Sequence, residues 1–203
     1  LVARPRSGNV VGIVRDEQGA PIAGARLMLE GATSSSAQSD AGGSFAFPSL
    51  SAGSYTLRAD ADGYLLASQP VEVRAGMDAQ LAFALAKKPS SSQVVMTKGE
   101  VKIHKQIMFK PNSAEIDERS TGLLTEIADV LLRNPEVRVQ IQGHTDNRGE
   151  PAANLDLSQR RAESVMQGLV ERGVSPDRMT AKGFGDTRPL VPKVASAVPS
   201  GMK

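Results

Sequence analysis

The sequence predicts two domains of different class, an all-β sandwich followed by an α/β unit, within 203 residues. Three observations carry that expectation. From Asn9 to about Leu85, apolar residues alternate with polar ones over short runs separated by turn residues, the period of half-buried strands. Ala86 to Gln93, Ala-Lys-Lys-Pro-Ser-Ser-Ser-Gln, is polar and has nothing to gain from burial, so it reads as a linker. Beyond it, apolar positions at helical spacing are interleaved with short alternating runs, which is the order of an α/β fold.

The first half opens on Val10, Gly12 and Val14, then turns at Asp16-Glu17-Gln18-Gly19. Strands are expected at Ala25 to Leu29, Ser44 to Phe47, Gly53 to Ala59, Val71 to Val73 and Leu81 to Leu85, with a further turn at Ser39 to Gly43. No segment here has a helical period, so the expectation is a small antiparallel sandwich over residues 9–86, after a tail of residues 1–8 and before a linker of residues 87–93. In the second half, residues 94–190, Val101, Ile103 and Ile107 suggest a strand. From Ile116 to Leu132 a helical stripe of Leu123, Leu124, Ile127, Ala128, Leu131 and Leu132 follows, and Asn134-Pro135 ends it because proline disfavours helix in the residue before it. Val137, Val139 and Ile141 alternate with Arg138, Gln140 and Gln142 as a strand with one dry face. A second helix is expected from near Leu157 to Arg172, stopped by Gly173, and a third strand at Met179 to Gly183. This βαβαβ order places helices on one face of a small mixed sheet, with residues 191–203 as an irregular tail.

Composition excludes several functions. The formal charge is +2 from 24 basic and 22 acidic residues scattered along the chain, without the dense basic stripe that a nucleic-acid backbone requires. Aromatics are only 3% of residues, too few to spare for stacking platforms. With no cysteine there is neither a disulfide framework nor a thiolate metal site. No apolar run reaches the ~18 residues of a membrane span, and the start at Leu1 suggests a mature form or a fragment.

One constellation carries chemistry. Gly143-His144-Thr145-Asp146 follows a strand, and Arg161 lies on the next helix. A carboxylate and a planar guanidinium brought together can hold an amino-acid zwitterion, one taking the ammonium and the other the carboxylate in a bidentate pair. At ~100° per residue, Leu157, Ala162, Val165, Met166 and Leu169 share one side of the helix; Arg160 points away from them and Arg161 sits at their edge. Asn154, with an amide that donates and accepts, is close to the same rim.

Two sets of motifs resemble known families. Gly12-x-Val14-x-Asp16-x-x-Gly19-x-Pro21-x-x-Gly24-Ala25, Ser39-Asp40-x-x-Gly43-x-Phe45-x-Phe47, Leu50-x-x-Gly53-x-Tyr55 and Gly63-Tyr64 resemble the carboxypeptidase regulatory-like, transthyretin-like sandwich. These are turn glycines and core residues, so they speak to fold more than to function. Phe109-x-x-Asn112-Ser113-Ala114, Gly143-His144-Thr145-Asp146, Asn154-x-x-Leu157-Ser158-x-x-Arg161-Ala162, Gly173-Val174 and Gly183-x-Gly185 resemble, in order, the OmpA-like peptidoglycan-binding domain. The resemblance implies noncovalent binding of the diaminopimelate of the peptidoglycan stem peptide, with ligand roles for Asp146, Arg161, Asn154 and Thr145 and supporting roles for Phe109, Asn112 and Leu157. It implies no catalysis, no cofactor and no metal. It also implies a place in the periplasm or outer membrane of a Gram-negative bacterium, where the protein tethers the envelope to the wall and the sandwich touches envelope proteins.

The chain departs from that pattern at Lys110, where the family often has an acid, although a backbone amide could still serve. It departs again after Arg188-Pro189-Leu190, where Val191 to Lys203 stands in place of a helix, an Asn-Arg-Arg-Val segment and a closing strand. A domain lacking its last helix and strand is therefore expected. Two other readings follow from the residues: a scaffold protein whose wall-binding domain has degenerated, and a metal-dependent wall hydrolase built on His144 and Asp146. The second has only His104 as a further histidine, short of the three protein ligands that a catalytic zinc needs.

Overall fold

The structure, a computed structural model, describes residues 7–97, 100–146 and 149–186. They fall into two compact units divided between Pro89 and Ser90.

The first unit is a sandwich of seven strands, β1 (Ser7–Asp16), β2 (Arg26–Gly31), β3 (Ser35–Gln38), β4 (Ser44–Ser51), β5 (Gly53–Asp60), β6 (Ala67–Val73) and β7 (Asp78–Leu85). One sheet has the order β4-β1-β7 and the other β3-β2-β5-β6. The alternation in the sequence becomes the core: Val10 and Val14 of β1, Leu27 and Leu29 of β2, Phe45 and Phe47 of β4, Leu57 of β5 and Phe83 and Leu85 of β7 are all buried in one cluster. Turn chemistry sets the corners. The Asp16 carboxylate accepts from the amides of Gln18 and Ala20, and the Asp40 carboxylate from those of Gly42 and Ser44. Two features differ from expectation. β3, polar except for the half-buried Ala37 that packs against the core, has no run of hydrophobic alternation and pairs in register with β2. The sandwich is not wholly antiparallel, because β7 runs parallel to β1; alternation reports which face is buried, not which way the neighbouring strand runs.

The stretch expected to be a free linker is tied down at both ends. Lys87 bridges Tyr64 and the Lys88 amide donates to the Gly63 carbonyl at 2.9 Å. Within the second unit the Gln93 amide, at 2.9 Å, and the Ser92 hydroxyl, at 3.2 Å, donate to the buried carboxylate of Glu126.

The second unit runs β8 (Val94–Thr97), β9 (Glu100–Ile103), α1 (Thr121–Arg133), β10 (Val139–Gly143), α2 (Pro151–Val170) and β11 (Met179–Gly183). β8 and β9 form an antiparallel hairpin, and β10 and β11 a parallel pair joined through α2. The expected strand over Val101 to Ile107 therefore ends at Ile103. α1 starts at Thr121, after a 3-10 turn at Glu118–Ser120, rather than at Ile116, which bridges Phe109 instead. Its expected stripe is buried in full.

α2 begins at Pro151, well before Leu157. Proline suits the first helical turn, but the buried positions in the early turns are the polar Asn154 and Ser158, which hide the period from a hydrophobic reading. Leu157 and Met166, expected in the buried stripe, are only half-buried. The expected absence of a closing helix and strand concerns residues 187–203, outside the described residues.

Arg178 locks the unit at the far end of β10. Its guanidinium donates to the carbonyls of Leu131, Asn134 and Val137 at 3.0, 2.6 and 2.8 Å, satisfying acceptors that the end of α1 and the turn into β10 leave open. Arg178→Ala should lower the stability of this unit by roughly 2–3 kcal/mol, the range for losing charge-assisted bonds to partly buried acceptors. Urea unfolding followed by helical circular dichroism checks this.

Candidate binding site

The site lies where β10 and β11 end under the N-terminal half of α2. Close backbone approach builds it. A Cβ on Gly143 would stand 2.0 Å from the Ser158 carbonyl oxygen, and one on Gly183 would stand 2.4 Å from the Gln159 amide nitrogen, so only glycine lets α2 sit against both strand ends. Ser158, fully buried, donates to the Leu155 carbonyl and accepts from the Gly185 amide at 2.9 Å. Gln159 accepts from the Gly183 amide at 2.7 Å.

This docking carries the pairing of the two strands into the loops. Phe184 donates its amide to Gly143, and Thr145 donates to Gly185, each at 2.9 Å. His144 stacks on Phe184, ring centroids 5.5 Å apart, and the Lys182 ammonium is 5.2 Å from the same ring. Thr145 is buried, and its hydroxyl has no hydrogen-bond partner. The next residue, Asp146, is exposed. Asn154, buried in the first turns of α2, donates a long bond of 3.4 Å to the Asp146 backbone carbonyl and so holds the loop rather than the carboxylate.

Arg161 comes to the site from the other side. It is half-buried, whereas Arg160 is exposed and pairs along the helix with Asp156 at 2.7 Å. Its Nε donates to the Ser113 carbonyl at 3.0 Å and its guanidinium lies 5.0 Å from the centre of the Phe109 ring. Asn112, in the left-handed region at φ 50°, turns the chain so that this carbonyl is presented. The Phe109–Ile116 bridge closes the loop. The Lys110 amide is not available to a ligand, since it donates to the Glu115 carbonyl, and the Lys110 ammonium pairs with the Glu115 carboxylate. Leu157 lies one turn before Arg161 and contributes no polar contact.

Burial pulls the Arg161 guanidinium below its ordinary pKa, and the charge of Asp146 opposes that shift. Asp146 thus acts on Arg161 through its charge, and no hydrogen bond joins the two among the described residues. Among the described residues no group of three or more His, Asp or Glu side chains is placed to hold a metal ion. No described helix is long and apolar enough to cross a membrane.

Residues 108–198 match the OmpA family, and residues 9–86 match the carboxypeptidase regulatory-like domain. The chain joins a carboxypeptidase regulatory-like domain to an OmpA-family domain. Over the OmpA-family part it is 37% identical to outer membrane porin F of Pseudomonas fluorescens, an alignment covering 48% of this chain and 30% of the porin. It is 36% identical to the peptidoglycan-binding protein ArfA of Mycobacterium bovis, over 47% of this chain and 28% of that protein. The chain thus spans about a third of the length of these relatives. Among solved structures, the peptidoglycan-associated lipoprotein of Burkholderia pseudomallei is 35% identical, with a TM-score of 0.37, over 41% of this chain and 69% of that one.

The sequence reading brought Asp146, Thr145, Asn154 and Arg161 into one region. The contacts that build the candidate site, Ser158 and Gln159 against Gly143 and Gly183 and Phe109 under Arg161, are not visible in the sequence. The paired glycines at 183 and 185 were the available signal, because small residues next to a strand end mark close backbone approach.

Proposed function

We propose that the OmpA-family domain binds peptidoglycan noncovalently, with Arg161 taking the side-chain carboxylate and Asp146 the side-chain ammonium of diaminopimelate in the stem peptide. The observation that carries this reading is a half-buried guanidinium, oriented by Phe109 and the Ser113 carbonyl and without an ion pair among the described residues. Asn154 holds the Asp146 loop, and the unpartnered Thr145 hydroxyl offers the ligand a further hydrogen bond. The likeness to the peptidoglycan-binding protein ArfA favours the same ligand class. In this reading the protein acts in the periplasm or at the outer membrane of a Gram-negative cell, tethering an envelope assembly to the wall, with the carboxypeptidase regulatory-like domain as its protein-contact module.

Retention on purified sacculi tests the proposal. Asp146 is exposed, so Asp146→Ala should weaken binding by about ten-fold, the scale of one solvent-screened charge contact to a ligand. Soluble wall fragments carrying lysine in place of diaminopimelate lack the carboxylate for Arg161 and should compete poorly. Equal retention of the wild-type and Asp146→Ala proteins would remove the mechanism.

A further inference from the structure

The two outer faces of the sandwich differ in kind. Alternation along a strand turns every second side chain away from the core, and on the four-stranded sheet those outward positions hold Arg26, Glu30, Arg58, Asp60 and Glu72. Arg58 pairs there with Glu30 at 3.4 Å, and Glu72 accepts from the Ser54 hydroxyl at 2.7 Å. Such a face suits water. On the three-stranded sheet the adjoining outward positions are instead Val11, Ile13, Ala46, Ala82 and Ala84. The three alanines are exposed, and the valine and isoleucine are only half-buried among their neighbours. The charged residues of β1, β4 and β7 are Arg15, Asp16 and Asp78. Asp16 is buried and occupied by the turn after β1. That leaves Asp78 at one end of the face, where it accepts from the Asn9 amide at 2.7 Å, and Arg15 at the other end beside Ala84. Their levels on β1, Asn9 and Arg15, are about 20 Å apart at 3.3 Å per residue.

We propose that this face pairs with the same face of a second copy of the chain, across a two-fold axis lying between the sheets and perpendicular to the strands. Such an axis sets β1 of one copy antiparallel to β1 of the other. It brings Asp78 of each copy to the Arg15 end of the other and leaves the apolar side chains to meet between two ion pairs. An axis along the strands would instead set Asp78 against Asp78 and Arg15 against Arg15, and like charges reject it. The exposed alanines suit the role, because sheets packed face to face stand only about 10 Å apart. Three strands about 4.8 Å apart, each about seven residues long at 3.3 Å, make a face of roughly 300 Å² per copy. A standard interface takes about 800 Å² per partner, so the pairing is weak and reversible in free solution. A pair carries two OmpA-family domains, so on the wall-binding reading it grips the wall at two points.

The test is sedimentation equilibrium of the full chain over a concentration series that reaches the millimolar range, without any wall material, so its outcome is independent of the wall-binding proposal. The wild type should show a reversible monomer–dimer equilibrium. Asp78→Arg and Arg15→Asp, each first shown to keep the circular dichroism of the wild type, should each associate at least about ten-fold more weakly, because each sets like charges against each other at both ends. An equimolar mixture of these two variants should recover the wild-type association, since one then carries arginine at both ends of the face and the other aspartate. Ala82→Glu, an exposed substitution that puts like charges on both copies near the two-fold axis, should abolish the dimer. A wild type that stays monomeric throughout overturns the proposal. So does a dimer that Ala82→Glu leaves intact, which would place the contact elsewhere, and so does a mixture that associates no better than either variant alone.

Discussion

Gly143→Ala should unfold the OmpA-family domain under conditions where the sandwich stays intact. The new Cβ would stand 2.0 Å from the Ser158 carbonyl oxygen, 2.8 Å from its carbon and 3.3 Å from its Cα. All three are backbone atoms in the middle of a helix, so no side chain can swing away, and α2 has to lift from the strands. Gly143 is not in the left-handed region, so the penalty is steric rather than conformational. Overpacking typically costs 1–3 kcal/mol; with backbone on both sides the expected loss is at the top of that range or above, on the order of 3 kcal/mol. That is a large fraction of a small domain's stability. The probes separate the two units. Both tyrosines, Tyr55 and Tyr64, lie in the sandwich, whereas both α-helices lie in the OmpA-family domain. In urea the helical circular dichroism of the variant should fall early, while the tyrosine fluorescence transition is unchanged. Gly122→Ala is the counterpart. It is exposed in α1 with nothing within 4 Å of a new Cβ, and should stabilise the domain by about 0.5–1 kcal/mol. If Gly143→Ala unfolds like the wild type, α2 does not rest on the strand ends as described.

The elements most legible in the sequence were those whose burial follows a simple period. β1, β2 and β5 of the sandwich and the stripe of α1 show the expected residues inside. β3 was illegible because Ser35, Ser36 and Gln38 have no buried face to reveal. β8 escaped for a different reason: only four residues long, it exists through its hairpin partner β9. The early turns of α2 were hidden because their buried positions are Asn154 and Ser158, whose partners are backbone groups of other segments.

For the site the same division holds. Turning through ~100° per residue separated Arg160 from Arg161 without any structure. What that rotation could not supply was the distant loop that receives Arg161. Phe109 and Ser113 meet it only after α1 and α2 have packed, and local sequence carries no record of such a contact. The loop after Phe109 shows the limit from the other direction: the sequence allows a backbone amide to serve there in place of an acid, and the turn closing at Glu115 uses that of Lys110.

Arg161→Lys should reduce binding to diaminopimelate-containing wall fragments by about a hundred-fold, near 3 kcal/mol, within the range for removing one partner of a desolvated charged pair. The charge is kept, so the loss isolates geometry. In the wild type Nε is held by the Ser113 carbonyl and the guanidinium plane by Phe109, which leaves the two terminal nitrogens side by side for a carboxylate. A lysine ammonium is a single strongly hydrated point on a flexible stem, so it cannot bond the Ser113 carbonyl and grip both carboxylate oxygens together. Phe109→Leu should fall between, weakening binding by about two- to thirty-fold, because it removes a cation–π contact worth roughly 0.5–2 kcal/mol and loosens the orientation without touching the charge. Calorimetric titration of the three proteins, each first shown to keep its helical circular dichroism, gives the ranking. An Arg161→Lys protein that binds as tightly as the wild type would mean that Arg161 supplies only a positive field, and the bidentate grip would have to be abandoned.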